Sequence, residues 1–207
     1  RTLQDWIDVE STTGVEAGYA DCLARHLAGL GFDVERQELA PGRFNLLARC
    51  GLPEVVFCTH LDCVPPWFGP SEDGDFVHGR GSCDAKGPAL AMIEAARRLL
   101  ADGETRVGFL FTVGEETDSA GAQLANERLA EPWRPRYTIV GEPTEDRVAA
   151  AATGASAPES VARRGARGAV GRGAAALLPR RDPHRLPSRQ VGRLQQQLAD
   201  GFLVQIQ

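Results

Sequence analysis

Residues 54–66 read EVVFCTHLDCVPP and residues 107–118 read VGFLFTVGEETD. Each opens with a short apolar run rich in Val and Phe and ends on side chains that bind protons or metals. A run of this length, bounded by Pro53 and His60 in the first case, suits a strand buried on both faces better than a helix. YTIVGEPTE at 137–145 repeats the arrangement on a smaller scale. The spacing predicts strands over 54–59, 107–113 and 137–140.

Helical patterns fill the gaps. Val15, Tyr19, Cys22, Leu23, Leu27 and Leu30 fall on one stripe over 15–30, and Gly31 follows where a helix cap often sits. Strands are expected at 32–39 and 44–48, split by the turn-forming Pro41-Gly42. Pro88 is expected to open a helix to Ala101, because a first-turn Pro lacks only an N–H that has no helical partner. A further helix is expected over 119–130. Strands alternating with helices predict an α/β fold, a largely parallel doubly wound sheet with flanking helices.

The chemistry sits where the strands end. His60 and Asp62 follow the first run, Glu115 and Glu116 the second, and Glu142 the third. Asp84 lies in the Gly-rich stretch GRGSCDAKG, just before the Pro88 helix. Open α/β sheets bind ligands at the carboxyl ends of their strands, so these residues should converge. Carboxylates packed together stay ionised only beside compensating cations. A His–carboxylate set suits zinc or a similar divalent ion. Two such ions ~3.5–4 Å apart form a hydrolytic centre, and a further carboxylate can act as general base.

Composition narrows the class. The 207 residues are 43% hydrophobic and 25% charged, which excludes a chain disordered throughout. No run approaches a membrane span, and no basic-then-apolar leader opens the chain. Arg1 stands first rather than Met, so residues are expected to be missing from the front. Five irregularly spaced cysteines (Cys22, Cys50, Cys58, Cys63, Cys83) argue for free thiols and a cytoplasmic location. GRGSCDAKGP superficially suggests a phosphate loop but lacks G-x-x-x-x-G-K-[ST]. His26 reads as structural, His78 has no assigned role, and Cys63 and Cys83 read as bystanders.

Four strings together, THLDCVPP, GRGSCDAKGPALA, VGEETDSAGA and VGEPTE, resemble the motifs of the acetylornithine deacetylase / succinyl-diaminopimelate desuccinylase family. This di-zinc group also holds aminoacylases and glutamate carboxypeptidases. The resemblance covers residues 1–154. It implies a zinc-exopeptidase-like catalytic domain that hydrolyses the amide bond of an N-acetyl or N-succinyl amino acid, or of a dipeptide. By the same resemblance His60 and Glu142 ligate one metal, Glu116 the second, and Asp84 bridges them. Glu115 would be the general base, taking a proton from water and passing it to the leaving amine. Asp62 would orient His60 by a hydrogen bond, and Asp84–Ala85 would be a cis peptide. The implied cofactor is one or two Zn2+, with Co2+ as a substitute.

Residues 155–207 break the pattern. Residues 1–154 hold 14 basic and 25 acidic residues, whereas 155–207 hold nine Arg, no Lys and three acids (Glu159, Asp182, Asp200). Ala, Arg, Gly and Pro make up 25 of the 38 residues from 155 to 192, the composition of GC-rich codons. This reads as a reading-frame change near Gly154 or a sequencing error, rather than a genuine Arg-rich tail, with an ordered element expected only within LQQQLADGFLVQIQ. The family's lid domain, its homodimer interface, its oxyanion-binding His and its last His ligand are not visible here; His184 matches neither motif. The chain as given is therefore expected to hold about one zinc and to turn over slowly. The alternative is a non-catalytic metal-binding or interaction protein whose Arg-rich tail binds nucleic acid or a partner.

Overall fold

The apolar runs form the middle of a six-stranded sheet. The computed structural model describes residues 2–129, 133, 135–143 and 205–206. In chain order its elements are α1 (Thr2–Ile7), α2 (Ala17–Gly29), β1 (Asp33–Ala40), β2 (Arg43–Arg49), β3 (Val55–His60), β4 (Ser71–Asp73) and β5 (Phe76–His78). Then come α3 (Lys86–Ala101), β6 (Val107–Thr112), α4 (Ala120–Arg128), β7 (Tyr137–Val140) and β8 (Gln205–Ile206). The large sheet has the order β1-β2-β6-β3-β7-β8. Its centre is parallel: β3 pairs with β6 from Val55↔Val107 to His60↔Thr112, and with β7 from Val55↔Tyr137 to Cys58↔Val140. Antiparallel pairs flank it, β2 on β6, β1 on β2 and β8 on β7.

Successive side chains of a strand point to opposite faces, and both faces here are covered. Phe57, Phe109 and Phe111 face one core with Tyr19, Leu23 and Leu27 of α2 and Met92 and Ile93 of α3. Phe109 stacks between Phe57 and Phe111, with ring centroids 5.6 and 5.5 Å away. Val56, Cys58 and Leu110 face the other way, onto Leu47, Ala125 of α4 and Trp133. Two covered faces explain why every residue of β6 is buried.

Element limits shift by a few residues from the sequence reading. The stripe over 15–30 becomes a helix only from Ala17, because Gly14 takes a left-handed φ of 100° and leaves Val15 53% exposed. α3 starts at Lys86, so Pro88 is its third residue, still within the turn whose N–H groups lack helical partners. Sequence reasoning missed α1, which is too short to show a period. Its Trp6 meets Tyr19 and His26 edge-on. It also missed the β4–β5 hairpin, three residues a side. His78 pairs there with Asp73 at 3.1 Å. All five cysteines are free thiols. No helix among the described residues is long and apolar enough to cross a membrane. The expectations for the 155–207 segment, His184 included, lie outside the described residues apart from β8, which falls within LQQQLADGFLVQIQ.

Candidate metal centre

β3, the middle strand of the parallel trio, ends on His60, which is 1% exposed. Its Nδ1–H donates to the backbone carbonyl of Asp62 at 2.8 Å. A carbonyl only accepts, so the proton on Nδ1 is fixed and Nε2 is left to face the other candidate residues. Asp84 Oδ1 stands 2.7 Å from Nε2, while Glu115 Oε2 and Glu142 Oε2 each stand 4.0 Å away. Ligand atoms of His60, Asp84 and Glu116 lie within 4.8 Å of one another. Asp84, Glu115, Glu116 and Glu142 thus meet on the Nε2 side of His60, while Asp62 lies on the Nδ1 side.

Three loops bring them there. β6 runs through Val113 into Gly114, whose φ of 73° suits glycine, and its carbonyl accepts from the Ser119 amide at 2.7 Å. The turn carries Glu115 and Glu116 to the end of β3 before α4 begins. Asn45, fully buried on β2, ties this region down. It accepts from the Val113 amide at 3.1 Å and donates to Gly121 O at 2.8 Å. Asp84 precedes a cis peptide to Ala85. Its loop packs so closely that a Cβ on Gly81 would stand 2.9 Å from both Cys63 Sγ and Lys86 Cδ. Lys86 is buried and donates from Nζ to Val9 O at 2.6 Å and Trp6 O at 3.1 Å, clamping the N-terminal segment beneath the loop. Glu142 follows β7, where Gly141 N–H donates to Cys58 O at 2.8 Å.

Asp62 holds the His60 ring through its backbone carbonyl. Its carboxylate does not make the short bond to His60: Oδ1 is 3.6 Å from Nδ1, and the carbonyl of the same residue holds the ring instead. The carboxylate is engaged elsewhere. Oδ1 accepts from Glu115 N–H at 3.0 Å, and Oδ2 accepts from Glu116 N–H at 3.1 Å and from Thr13 Oγ1–H at 2.8 Å. Asp62 therefore fixes the imidazole with its backbone and the two glutamates with its side chain. Thr13, Asn45 and Lys86 were missed because none of them follows an apolar strand. The only hint was Lys86, unusually close to Asp84.

The electrostatics follow from crowding. Burial and the neighbouring Asp84, Glu115 and Glu116 push Glu142 up to about 8, against the opposing pull of His60. Burial, then Glu116, Asp62 and Asp84, push Glu115 up to about 7, again against His60. Glu116 is also raised, chiefly by burial. Burial alone would lower His60. The carboxylates of Asp62 and Asp84 beside it and the charge of Glu142 outweigh that and hold it well above the ordinary imidazole range. For Asp62, burial is outweighed by His60, Thr13 and the Glu116 amide, and its pKa is lowered.

The donor set suits a divalent metal: one buried imidazole with its inner nitrogen committed to a carbonyl, and several carboxylates with too little positive charge among them. Relatives share this region. A peptidase M20 domain-containing protein of Schizosaccharomyces pombe is 36% identical over 151 residues, covering 69% of this chain and 37% of its own. An acetylornithine deacetylase of Vibrio vulnificus is 37% identical over 133 residues, covering 59% of this chain and 35% of its own. The chain thus spans a little over a third of the length of these curated relatives. The crystal structure of the aminopeptidase PepT from Bacillus cereus superposes with a TM-score of 0.56 at 25% identity, over 68% of this chain and 41% of that one. Residues 56–191, which carry every strand-end acid and run past Gly154, match peptidase family M20/M25/M40. The match runs over more than half of the chain's length, so the chain belongs to peptidase family M20/M25/M40.

Proposed function

We propose that the chain carries the catalytic part of a metal-dependent amidohydrolase, within residues 1–154. Its substrate would be the amide bond of an N-acyl amino acid, N-acetyl or N-succinyl, or of a small peptide. The likeness to an acetylornithine deacetylase supports the N-acyl branch, and the likeness to an aminopeptidase keeps small peptides in the panel. The observation that carries the reading is the meeting of Asp84, Glu115 and Glu142 around His60 Nε2, with Glu116 in the same group.

His60, Asp84, Glu116 and Glu142 would hold zinc, with cobalt as a substitute, and Asp84 would be the shared ligand of a two-metal arrangement. Bound zinc supplies Lewis acidity to a carbonyl and brings the ionisation of water towards neutral pH. Asp62 holds the His60 ring and the backbone of Glu115 and Glu116 in register. Glu115 acts as general base, taking a proton from water, and stands beside the ligand group with Oε2 4.0 Å from His60 Nε2. It takes that proton on a carboxylate oxygen and returns it to the departing amine nitrogen. The five free thiols support a cytoplasmic setting.

The test begins with equilibrium dialysis of the chelator-treated chain against zinc. It continues with release of free amine from a panel of N-acetyl and N-succinyl amino acids and dipeptides. The expected results are retention of zinc, lost in His60→Ala, and amine release, lost in Glu115→Gln. A chain that retains no zinc, or releases amine equally well as Glu115→Gln, overturns the reading.

A further inference from the structure

The carboxylate of Asp62 is fully buried and accepts three hydrogen bonds. Two come from the backbone of the Glu115–Glu116 turn. The third comes from the Thr13 hydroxyl, 49 positions away in the chain and outside the family match.

That hydroxyl is carried on a braced segment. Thr12 forms a parallel bridge with Cys63. Cys63 N–H donates to Ser11 O at 2.9 Å, and Thr13 N–H donates to Cys63 O at 3.2 Å. Lys86 Nζ grips Val9 O just upstream. Val15 N–H returns to Thr12 O at 2.8 Å, and the chain then turns at Gly14 into α2. The bracing runs along residue 63, next to Asp62 itself. Thr13 and Asp62 are thus held in fixed relation, and rotation of the carboxylate about its own bonds would cost the Thr13 bond.

We propose that Thr13 is a positioning residue: by fixing the rotamer of Asp62 it sets where the Glu115–Glu116 backbone, and so the Glu116 carboxylate, can sit. Two successive amides, Glu115 N–H and Glu116 N–H, reach separate oxygens of one carboxylate, at 3.0 and 3.1 Å. Such a fork is met only in one orientation of the carboxylate plane. The Thr13 bond to Oδ2 selects that plane. The structural half of this inference stands on those bonds alone. Its consequence for metal rests on the reading of Glu116 as a ligand.

Two measurements on the full chain test it, in Thr13→Val and Thr13→Ser. Val keeps the shape of Thr and removes the hydroxyl, whereas Ser keeps the hydroxyl. In the metal-free protein, amide hydrogen exchange at Glu115 and Glu116 should quicken about tenfold in Thr13→Val, the worth of one bond to a charged group. The Phe57 and Phe109 amides should be unmoved, and Thr13→Ser should match the starting chain. In a calorimetric titration with zinc alone, Thr13→Val should bind about tenfold more weakly and Thr13→Ser nearly as well as the starting chain. Exchange at Glu115 and Glu116 that is unchanged in Thr13→Val overturns the inference. So does an equal acceleration at Phe57 and Phe109, or failure of Thr13→Ser to restore protection. A starting chain that binds no zinc removes the metal reading, while the exchange experiment still decides this one.

Discussion

Raising the pH should destabilise the metal-free protein, and zinc should reverse that trend. Glu142 is pushed up to about 8 and Glu115 up to about 7 in the fold, whereas both revert to about 4.3 on unfolding. Between those values the folded chain holds more protons than the unfolded one, so stability falls as pH rises. His60 acts in the same sense. Its pKa is raised in the fold, so its contribution is full below the ordinary imidazole value of about 6.5 and is lost as pH rises through the folded value. One extra proton held from about pH 5.5 to about pH 8 amounts to ~3 kcal/mol at ~1.4 kcal/mol per unit. The Glu115 and Glu142 side chains are 11% and 21% exposed, so water relieves part of the strain. A net loss of ~2 kcal/mol, or a fall of ~4–8 °C in Tm, is expected.

The assay is thermal unfolding of chelator-treated protein followed by circular dichroism across that window, beside the Glu142→Gln variant. The variant removes the most strongly raised carboxyl and should flatten at least about half of the slope. With zinc present the slope should turn upward, because the metal binds the ionised carboxylates and the imidazole freed of its Nε2 proton. A Tm that is flat or rising without metal, or a slope untouched by Glu142→Gln, would refute the account of a cluster strained by its own charge.

Three further outcomes follow from the same geometry. His60→Ala removes the only imidazole among the described site residues and should weaken zinc binding by at least about 100-fold in dialysis, with the far-ultraviolet spectrum retained. Glu115→Gln should lower amide hydrolysis by ~100- to 10,000-fold while zinc binding changes little, since the carboxyl removed moves protons and is not assigned as a ligand. Gly121→Ala places a methyl against Asn45 Oδ1 and the Val113 backbone and should lower stability by ~1–3 kcal/mol in urea, breaking the clamp behind the Glu115–Glu116 turn.

The parts that could be read from sequence are those set by local pattern. Val56 to Thr59 and Val107 to Thr112 are apolar without alternation because helices cover both faces, and that signal survives in a single sequence. His60, Glu115, Glu116 and Glu142 stand out because they interrupt or follow such runs. Asp84 does not follow a strand and was placed by the motif around it. What could not be read is three-dimensional closure. No spacing rule links Thr13 to Asp62, or Lys86 Nζ to the carbonyls of Trp6 and Val9. Nor could a sequence decide between the two acceptors of Asp62. The choice of carbonyl over carboxylate for His60 depends on the Glu115 and Glu116 amides having claimed the carboxylate first.

Strand order explains why so few residues suffice to build the centre. β3 lies between β6 and β7, parallel to both, so all three chains leave the sheet at the same edge. In register, His60 pairs with Thr112 and Cys58 with Val140, which puts Glu115–Glu116 on one flank of the imidazole and Glu142 on the other. An antiparallel neighbour on either side would send one of those acids to the far end of the sheet, about 20 Å away for a strand of six residues. The antiparallel strands sit outside the trio, where β2 instead contributes Asn45 as a brace from behind. The parallel trio thus decides which residues meet, and the Asp62 hub decides at what distances. A change in the first would abolish the centre, whereas a change in the second would leave every candidate ligand present but displaced.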